Sequence, residues 1–230
     1  MTPAPLIPDL IKGFGYGSGM ISPDHKKFIV NIPKNASSYM LDWAARHHWT
    51  TGTVGDACDW DKVEEMIVVL RDPLKRWVSG ITQYINTYIL SVSGPNGPIF
   101  PGQPTTKYDW AMSADQFIDQ YNQNTERLIF DVINKFDDHV WPQCYFFEEL
   151  LPGVPQKYFY LDTGFDQQIA QYLNFQPYND LDLNTSISNT NMAALQTFFL
   201  QRFQIRPELK NRVINAYAKD YALIDKVFNP

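Results

Sequence analysis

The fold is decided by residues 27–46, which read Lys-Phe-Ile-Val-Asn-Ile-Pro-Lys-Asn-Ala-Ser-Ser-Tyr-Met-Leu-Asp-Trp-Ala-Ala-Arg. The first six residues form an apolar run that predicts a strand, and the last eight have the spacing of an amphipathic helix. The tight loop between them leads into the first turn of a helix, where backbone N–H groups and the helix dipole favour negative charge. Lys34 adds a cation to this loop, and Ser37 and Ser38 add hydroxyl donors. The stretch therefore predicts an anion-binding site at a strand–loop–helix junction.

A second junction of the same kind follows later in the chain. Residues 66–70, Met-Ile-Val-Val-Leu, predict a buried strand with Arg71 at its carboxyl end. Pro73 favours a helix start there, with Arg76 and Ser79 one and two turns further on. An arginine can hold a phosphate through two parallel N–H bonds. This junction therefore predicts a second phosphate-binding group.

Together the two segments resemble those of a known family. Residues 33–38, Pro-Lys-Asn-Ala-Ser-Ser, are similar to the loop with which sulfotransferases hold the 5′-phosphosulfate of 3′-phosphoadenosine 5′-phosphosulfate (PAPS). Residues 71–80, with the pattern Arg-Asp-Pro-x-x-Arg-x-x-Ser-Gly, resemble their 3′-phosphate motif. Residues 137–144 are similar to the Asp-x-His-Trp-x-Pro segment of the carbohydrate sulfotransferases (chondroitin, dermatan and HNK-1 type), and residues 217–221 to their Tyr-x-x-Asp-Tyr ending. The resemblance covers about residues 27–228.

The resemblance implies an α/β fold of the P-loop-NTPase-like sulfotransferase type, with a central parallel sheet flanked by helices. It also implies transfer of a sulfuryl group from PAPS to an acceptor hydroxyl, which we expect to belong to a carbohydrate or a small polar molecule. Fixed cations would serve the reaction, with no metal required. The residues expected to bind PAPS are Lys34, Asn35, Ala36, Ser37, Ser38, Tyr39, Arg71 and Ser79.

Catalysis of such a transfer needs a group that stabilises the leaving phosphate and a base that takes the acceptor proton. Lys34 is expected to do the first, because a flexible ammonium can follow the developing charge. His139 is our candidate for the base, since imidazole titrates near neutral pH and His139 lies in the Asp-x-His segment. His48 and Glu65 remain alternatives. The simpler reading of His139 is a hydrogen-bonded side chain in a turn before Pro142.

Two other functions compete with this reading. A nucleotide kinase-like phosphotransferase would need the loop Gly-x-x-x-x-Gly-Lys-[Ser/Thr], but the chain has no glycine between Gly19 and Gly52. A nucleotide-binding module without catalysis is the third reading. It would bind adenosine 3′,5′-bisphosphate, the desulfated product, and transfer nothing.

Length and composition set the outer bounds. A chain of 230 residues, 44% of them hydrophobic, is long enough for one sizeable core and too short for two ordinary α/β domains. We therefore predict a single domain over residues 1–230. Residues 1–24, with the glycine-rich run 13–19, are expected to be a lead-in segment. Residues 91–112 are expected to form a long loop that borders the acceptor cleft.

Charge and targeting signals exclude several classes of protein. The net charge of −6 argues against a nucleic-acid binder with a broad basic surface, so the cations Lys34, Arg71 and Arg76 must act locally. We expect no membrane anchor and a bacterial or viral-host cytoplasm, because the chain has neither a long apolar stretch nor a signal peptide. This departs from the anchored Golgi carbohydrate sulfotransferases. Cys58 and Cys144 imply no disulfide framework, and no metal-ligand spacing occurs.

The hydrophobic pattern also predicts the elements of secondary structure. Strands are expected over residues 27–32, 50–54, 66–70 and 157–161. Helices are expected over residues 74–90, 113–122, 125–135, 164–173, 191–203 and 207–228, the last with a break near Asp220. This alternation favours a parallel sheet with helices on both faces and the ligand at the carboxyl ends of the strands.

Overall fold

The structure is a computed structural model that describes residues 17–53, 60–90, 112–162, 164–175 and 190–229. In chain order its main elements are β1 (Ser18–Ile21), β2 (Lys27–Val30), α1 (Ser37–Arg46), β3 (Thr50–Thr53), β4 (Glu65–Leu70), α2 (Pro73–Tyr84), α3 (Ala114–Asp119), α4 (Gln123–Arg127), β5 (Gln156–Tyr160), α5 (Phe165–Leu173), α6 (Thr190–Ile205), α7 (Pro207–Ala216) and α8 (Ala218–Phe228). Helix α2 continues as a π-helical stretch over Ile85–Leu90, and α4 continues through a π-helical stretch (Leu128–Ile133) to Asn134–Phe136. Short 3₁₀ turns occupy Trp60–Lys62, Asp138–Val140 and Gln143–Phe146.

The chain divides into two compact units. Unit 1 contains the described residues within 17–73, 142–175 and 216–229, and unit 2 contains those within 74–141 and 190–215. All five strands belong to unit 1. The single domain expected from chain length stays a prediction.

The sheet of unit 1 is mixed. Its strand order is β3-β1-β2-β4-β5, with β2, β4 and β5 parallel to one another and β1 antiparallel to both of its neighbours. The expectation of a parallel sheet is therefore wrong for β1, which runs opposite to the other four strands. The physical reason is the short link from β1 to β2, closed by a hydrogen bond from the Ser22 N–H to the Lys27 carbonyl (2.9 Å). Parallel neighbours need a much longer crossover.

Strand β1 was missed because its first two residues end the glycine-rich run 13–19. All four residues of β1 fall in the segment that we expected to be a lead-in, yet Gly19 pairs with both β2 and β3. At Gly19 a Cβ atom would lie 2.2 Å from the Ile29 carbonyl oxygen. Glycine is thus required here for two strands to approach closely, and its presence marks a strand instead of a flexible segment.

Both faces of this sheet are covered within unit 1. On one face, side chains of the sheet such as Ile29, Ile67 and Phe159 form a core with α1 and α5. On the other face, Tyr158 packs edge-on to Phe147, with ring centroids 6.1 Å apart, and Tyr160 packs against Phe228 of α8 (5.4 Å). The prediction of an α/β structure with helices on both faces of a sheet is confirmed.

Unit 2 is helical. Its core centres on Trp77 of α2, which is fully buried and stacks on Phe130 at 5.2 Å between centroids. The Trp77 indole N–H donates to Asn134 Oδ1 (2.6 Å). Glu126 of α4 is nearly buried and accepts two hydrogen bonds from Arg202 of α6 (2.6 and 3.0 Å). This pair satisfies a buried carboxylate that would otherwise destabilise the unit.

Most predicted elements occur within a few residues of their expected bounds. The last predicted helix is broken at Tyr217, between α7 and α8, three residues before the expected point. The predicted loop over residues 91–112 falls almost wholly outside the described residues. In the part of the chain that the structure describes, none of the helices combines the length and apolar character needed to cross a membrane.

Candidate functional site

The loop between β2 and α1 has a distinctive backbone. Lys34 and Ala36 both adopt left-handed φ angles, 68° and 59°, which cost non-glycine residues about 1–2 kcal/mol each. The first helical hydrogen bond of α1 runs from the Met40 N–H to the Ala36 carbonyl (2.9 Å). The N–H groups of Ser37 and Ser38 precede it, and the first turn carries no acidic residue. The helix N-terminus therefore offers donors and a positive field to an anion.

Asn35 shapes this loop from inside. Its backbone N–H already donates to the Ile32 carbonyl (3.1 Å), and its side-chain N–H₂ donates to the Val69 carbonyl (2.8 Å) and to Gln143 Oε1 (2.5 Å). The side chain is 97% buried, since 3% of its surface is exposed. Its Oδ1 atom is also buried and has no hydrogen-bond partner among the described residues. The expectation that the Asn35 N–H binds phosphate directly conflicts with its bond to Ile32.

Tyr39 lies on the core side of α1. Its ring is buried and packs edge-on to Phe165, 6.1 Å between centroids, and burial raises the pKa of its hydroxyl. The Tyr39 side chain therefore packs α1 against the core. What Tyr39 can offer a ligand is its backbone N–H in the first turn.

Arg71 meets the loop directly. One of its guanidinium nitrogens, Nη1, donates to the Lys34 carbonyl (2.9 Å). Its backbone N–H donates to Gln143 Oε1 (2.8 Å), and its carbonyl accepts from Gln143 Nε2 (2.9 Å). The two junctions singled out in the sequence are thus hydrogen-bonded to each other in unit 1, because β2 and β4 are parallel neighbours whose carboxyl ends lie at one edge of the sheet.

Gln143 and Asp220 are site residues that sequence reasoning did not single out. Both are fully buried. Asp220 accepts hydrogen bonds from the backbone N–H groups of Gln143 (2.7 Å) and Cys144 (2.9 Å). Each lies in a segment that carries the family resemblance, residues 137–144 and residues 217–221. The sequence therefore marked the two segments, but the spacing within them gave neither residue a role.

The remaining predicted binding residue, Ser79, belongs to unit 2, on α2. It is buried, and its carbonyl accepts a hydrogen bond from the Thr82 hydroxyl (3.1 Å). Arg76 is also completely buried, and its guanidinium donates to the carbonyls of Asp138 (3.2 Å) and Trp141. The expectation that Arg76 provides local charge for an anion is therefore corrected. Its charge is directed to backbone carbonyls within unit 2.

His139 lies in unit 2 between two carboxylates. Its Nδ1 atom is 3.2 Å from Asp137 Oδ1 and 2.9 Å from Asp138 Oδ1. Burial acts to lower the pKa of His139, but the hydrogen bonds to these two carboxylates outweigh it and raise the pKa to about 9. The imidazole is therefore mostly protonated at neutral pH, in the direction expected for a histidine that follows two aspartates in the sequence.

The same three side chains form the group of potential metal ligands found in the described part of the chain. Their candidate ligand atoms all lie within 4.8 Å of one another. The carboxylates of Asp137 and Asp138 already contact His139 Nδ1, so the three side chains have partners in one another. The expectation of no metal stays a prediction.

The alternative bases lie far from the loop of unit 1. His48 follows the C-terminal end of α1, whereas the loop precedes its N-terminus, and ten helical residues span about 15 Å. Glu65 begins β4, whereas Arg71 follows its end, so six residue steps of the strand, about 20 Å, separate them. Glu65 is also paired with Lys27 Nζ (2.9 Å) and Tyr172. These distances argue against His48 and Glu65 as the base for a reaction at the loop.

Comparisons of the chain with protein-family models, with curated proteins and with solved structures gave no match. The functional assignment therefore depends on the chain's own residues and on the geometry of each unit.

Proposed function

We propose that this protein is a PAPS-dependent sulfotransferase that transfers a sulfuryl group to an acceptor hydroxyl, as of a carbohydrate or small polar molecule. The observation that carries the proposal is the hydrogen bond from Arg71 Nη1 to the Lys34 carbonyl. It joins two segments that separately have anion-binding chemistry. A donor with phosphate groups at both the 3′ and the 5′ positions of one ribose needs two such segments at one edge of a sheet.

The chemistry assigns a task to each group. The first-turn N–H groups of α1 and the hydroxyls of Ser37 and Ser38 would bind the 5′-phosphate, and Arg71 the 3′-phosphate. Ser79 is assigned to the 3′-phosphate by the family resemblance alone. The acceptor oxygen forms a bond to sulfur as the bond from sulfur to the phosphate oxygen breaks. The leaving adenosine 3′,5′-bisphosphate keeps that electron pair, and Lys34 would stabilise its growing charge. The acceptor proton passes to a base, for which His139 remains our candidate.

A thermal-shift experiment tests the class of ligand. Adenosine 3′,5′-bisphosphate at 100 times its dissociation constant is expected to add about 2.7 kcal/mol to the free energy of unfolding. ATP with Mg²⁺ should add much less, because the loop lacks the glycine and lysine pattern of kinase-like proteins. Equal or greater stabilisation by ATP would support the phosphotransferase reading instead. Binding of the bisphosphate without any transfer from labelled PAPS would support the non-catalytic module.

Arg71→Ala is expected to weaken adenosine 3′,5′-bisphosphate by about 1.5–3 kcal/mol, the range for a hydrogen bond to a charged group. Isothermal titration calorimetry measures the change. Lys157→Ala is a suitable control, since Lys157 is an exposed lysine on β5 that stands over the ring of Phe159. Unchanged affinity in Arg71→Ala would remove Arg71 from the binding site.

The rate of the proposed reaction should depend on pH through His139. A pKa of about 9 leaves about one imidazole in a hundred neutral at pH 7. If the neutral ring is the base, kcat should rise about tenfold per pH unit and level off near pH 9. The measurement is a pH profile of kcat for wild type and His139→Gln. A wild-type rate that is flat from about pH 6 to about pH 8 would exclude His139 as the base.

A further inference from the structure

Four buried or partly buried residues of unit 1 form one hydrogen-bonded group, which we call the Gln143 network. Its members are Asn35, Arg71, Gln143 and Asp220. They come from the loop after β2, the end of β4, the 3₁₀ turn Gln143–Phe146 and the first turn of α8. The network therefore joins four separate segments of the chain at the edge of the sheet where Lys34 lies.

Gln143 stands at the centre of the network. Its side-chain amide bonds to both backbone groups of Arg71, accepting from the N–H at 2.8 Å and donating to the carbonyl at 2.9 Å. This pair of hydrogen bonds resembles the two N–H···O bonds that directly opposite residues exchange in an antiparallel pair of strands. It holds the Arg71 peptide groups at the point where β4 leaves the sheet. The same Oε1 atom accepts from Asn35 Nδ2 (2.5 Å). One side chain is therefore hydrogen-bonded both to the loop after β2 and to the residue after β4.

Asp220 in turn holds Gln143. Its carboxylate accepts the N–H groups of Gln143 and Cys144, and Gln143 Nε2 lies 3.4 Å from Oδ2. Hydrogen bonds to a charged acceptor are among the stronger ones in proteins. Because Asp220 is completely buried, loss of these bonds would leave polar groups unpaired in the interior. Helix α8 is thereby connected to the loop before α1.

One atom distinguishes the network from ordinary core packing. Asn35 Oδ1 is buried and has no partner among the described residues, although nearly all buried polar atoms in proteins are hydrogen-bonded. The orientation of the Asn35 amide is determined by two acceptors, the Val69 carbonyl and Gln143 Oε1. The network thus holds Asn35 in place at the cost of an unpaired acceptor beside the left-handed backbone of Lys34 and Ala36.

We infer that Gln143 and Asp220 are positioning residues, which hold the Lys34–Ala36 loop and the Arg71 backbone in the geometry that receives the two phosphates. They do not touch the ligand. They act through Asn35, whose side chain pins the loop to β4, and through the peptide groups of Arg71. The inference rests on the proposed function for the identity of the ligand, but the ordering of loop and strand end can be measured without any ligand.

The experiment compares three variants of the full chain. Gln143→Leu removes the amide at similar size, and Asp220→Asn keeps one acceptor oxygen and loses the charge. Leu150→Ala is the control, because Leu150 is buried in the same unit and close in sequence to Gln143, while its backbone N–H donates to the Phe147 carbonyl, outside the network. Each variant is measured by amide hydrogen exchange without ligand, by affinity for adenosine 3′,5′-bisphosphate and by thermal unfolding.

In Gln143→Leu we expect faster exchange of the Arg71 amide and of residues 34–38, and affinity weakened by about tenfold or more. Asp220→Asn should change both in the same direction by less. Leu150→Ala should lower the melting temperature without changing either. If Gln143→Leu does not fold, Asp220→Asn takes its place in the same comparison.

The outcomes separate the two claims. If wild type binds no bisphosphate, the proposed function is wrong, and the exchange of the Arg71 amide and the loop still decides the positioning role. If wild type binds but Gln143→Leu shows neither faster exchange nor weaker affinity, the positioning role is wrong. It is also wrong if Leu150→Ala weakens affinity and speeds exchange at these positions as much as Gln143→Leu does, because the effects would then follow from lost stability alone.

Discussion

Replacing Lys34 by alanine is expected to lower kcat by about 10²–10³, the range for loss of one group aimed at transition-state charge. The affinity for adenosine 3′,5′-bisphosphate should fall much less, because the ammonium is expected to interact most strongly with charge that develops on the leaving phosphate. The measurement is kcat with labelled PAPS at saturation, together with the dissociation constant of the product nucleotide.

Two controls accompany Lys34→Ala. Lys34→Arg retains the charge and should recover part of the rate, whereas Lys210→Ala removes an exposed lysine of α7 in unit 2 and should change nothing. A normal kcat in Lys34→Ala under saturation would show that Lys34 has no catalytic role. A loss of affinity equal to the loss of rate would instead assign Lys34 to ground-state binding.

Gly80→Ala is expected to destabilise unit 2 by about 1–3 kcal/mol, the range for overpacking a close-packed site. In an ordinary helix the same change stabilises by about 0.8–1 kcal/mol. Here the added Cβ would lie 2.2 Å from the His139 carbonyl oxygen and 2.8 Å from its carbon. Since both are backbone atoms, either α2 or the turn Asp138–Val140 must shift. Urea denaturation measures the free energy of unfolding.

Gly153→Ala provides the comparison for Gly80→Ala. Gly153 has a φ of +85°, and a Cβ there would meet nothing within 4 Å. The cost should therefore be only that of a left-handed residue, about 1–2 kcal/mol, with the proposed activity unchanged. A Gly80→Ala protein as stable as wild type, or more so, would show that the turn carrying His139 does not pack against α2 as closely as described.

Local patterns predicted the elements well where one hydrophobic period dominates. The strands at residues 27–32 and 66–70 and the helix after each were found near their expected bounds, because alternating and 3.6-residue patterns report which face is buried. The two π-helical stretches, Ile85–Leu90 and Leu128–Ile133, fell inside predicted helices. Strand β1 was missed because its glycine serves a close approach to β2, which is invisible without the partner strand.

The sequence predicted in general terms that the segment after β2 and the segment after β4 would lie close together. Each was expected to follow a strand, and parallel strands that are neighbours end at the same edge. Only the structure shows that β2 and β4 are such neighbours, through their parallel register. The adjacent aspartates indicated that the pKa of His139 would be raised, but the size of the shift depends on ring-to-carboxylate distances that the sequence does not determine.

By itself, therefore, the sequence determined the local chemistry: a cation and hydroxyls in a loop before a helix, an arginine after a strand, and a histidine among aspartates. Local periodicity and residue type suffice for this, because each feature lies within a few residues of chain. Tertiary structure alone decided how these groups are held. Asp220 bonds to the backbone of Gln143 across 77 residues, and Gln143 bonds to that of Arg71 across 72. Such contacts depend on how distant segments pack, and no local pattern encodes their partners.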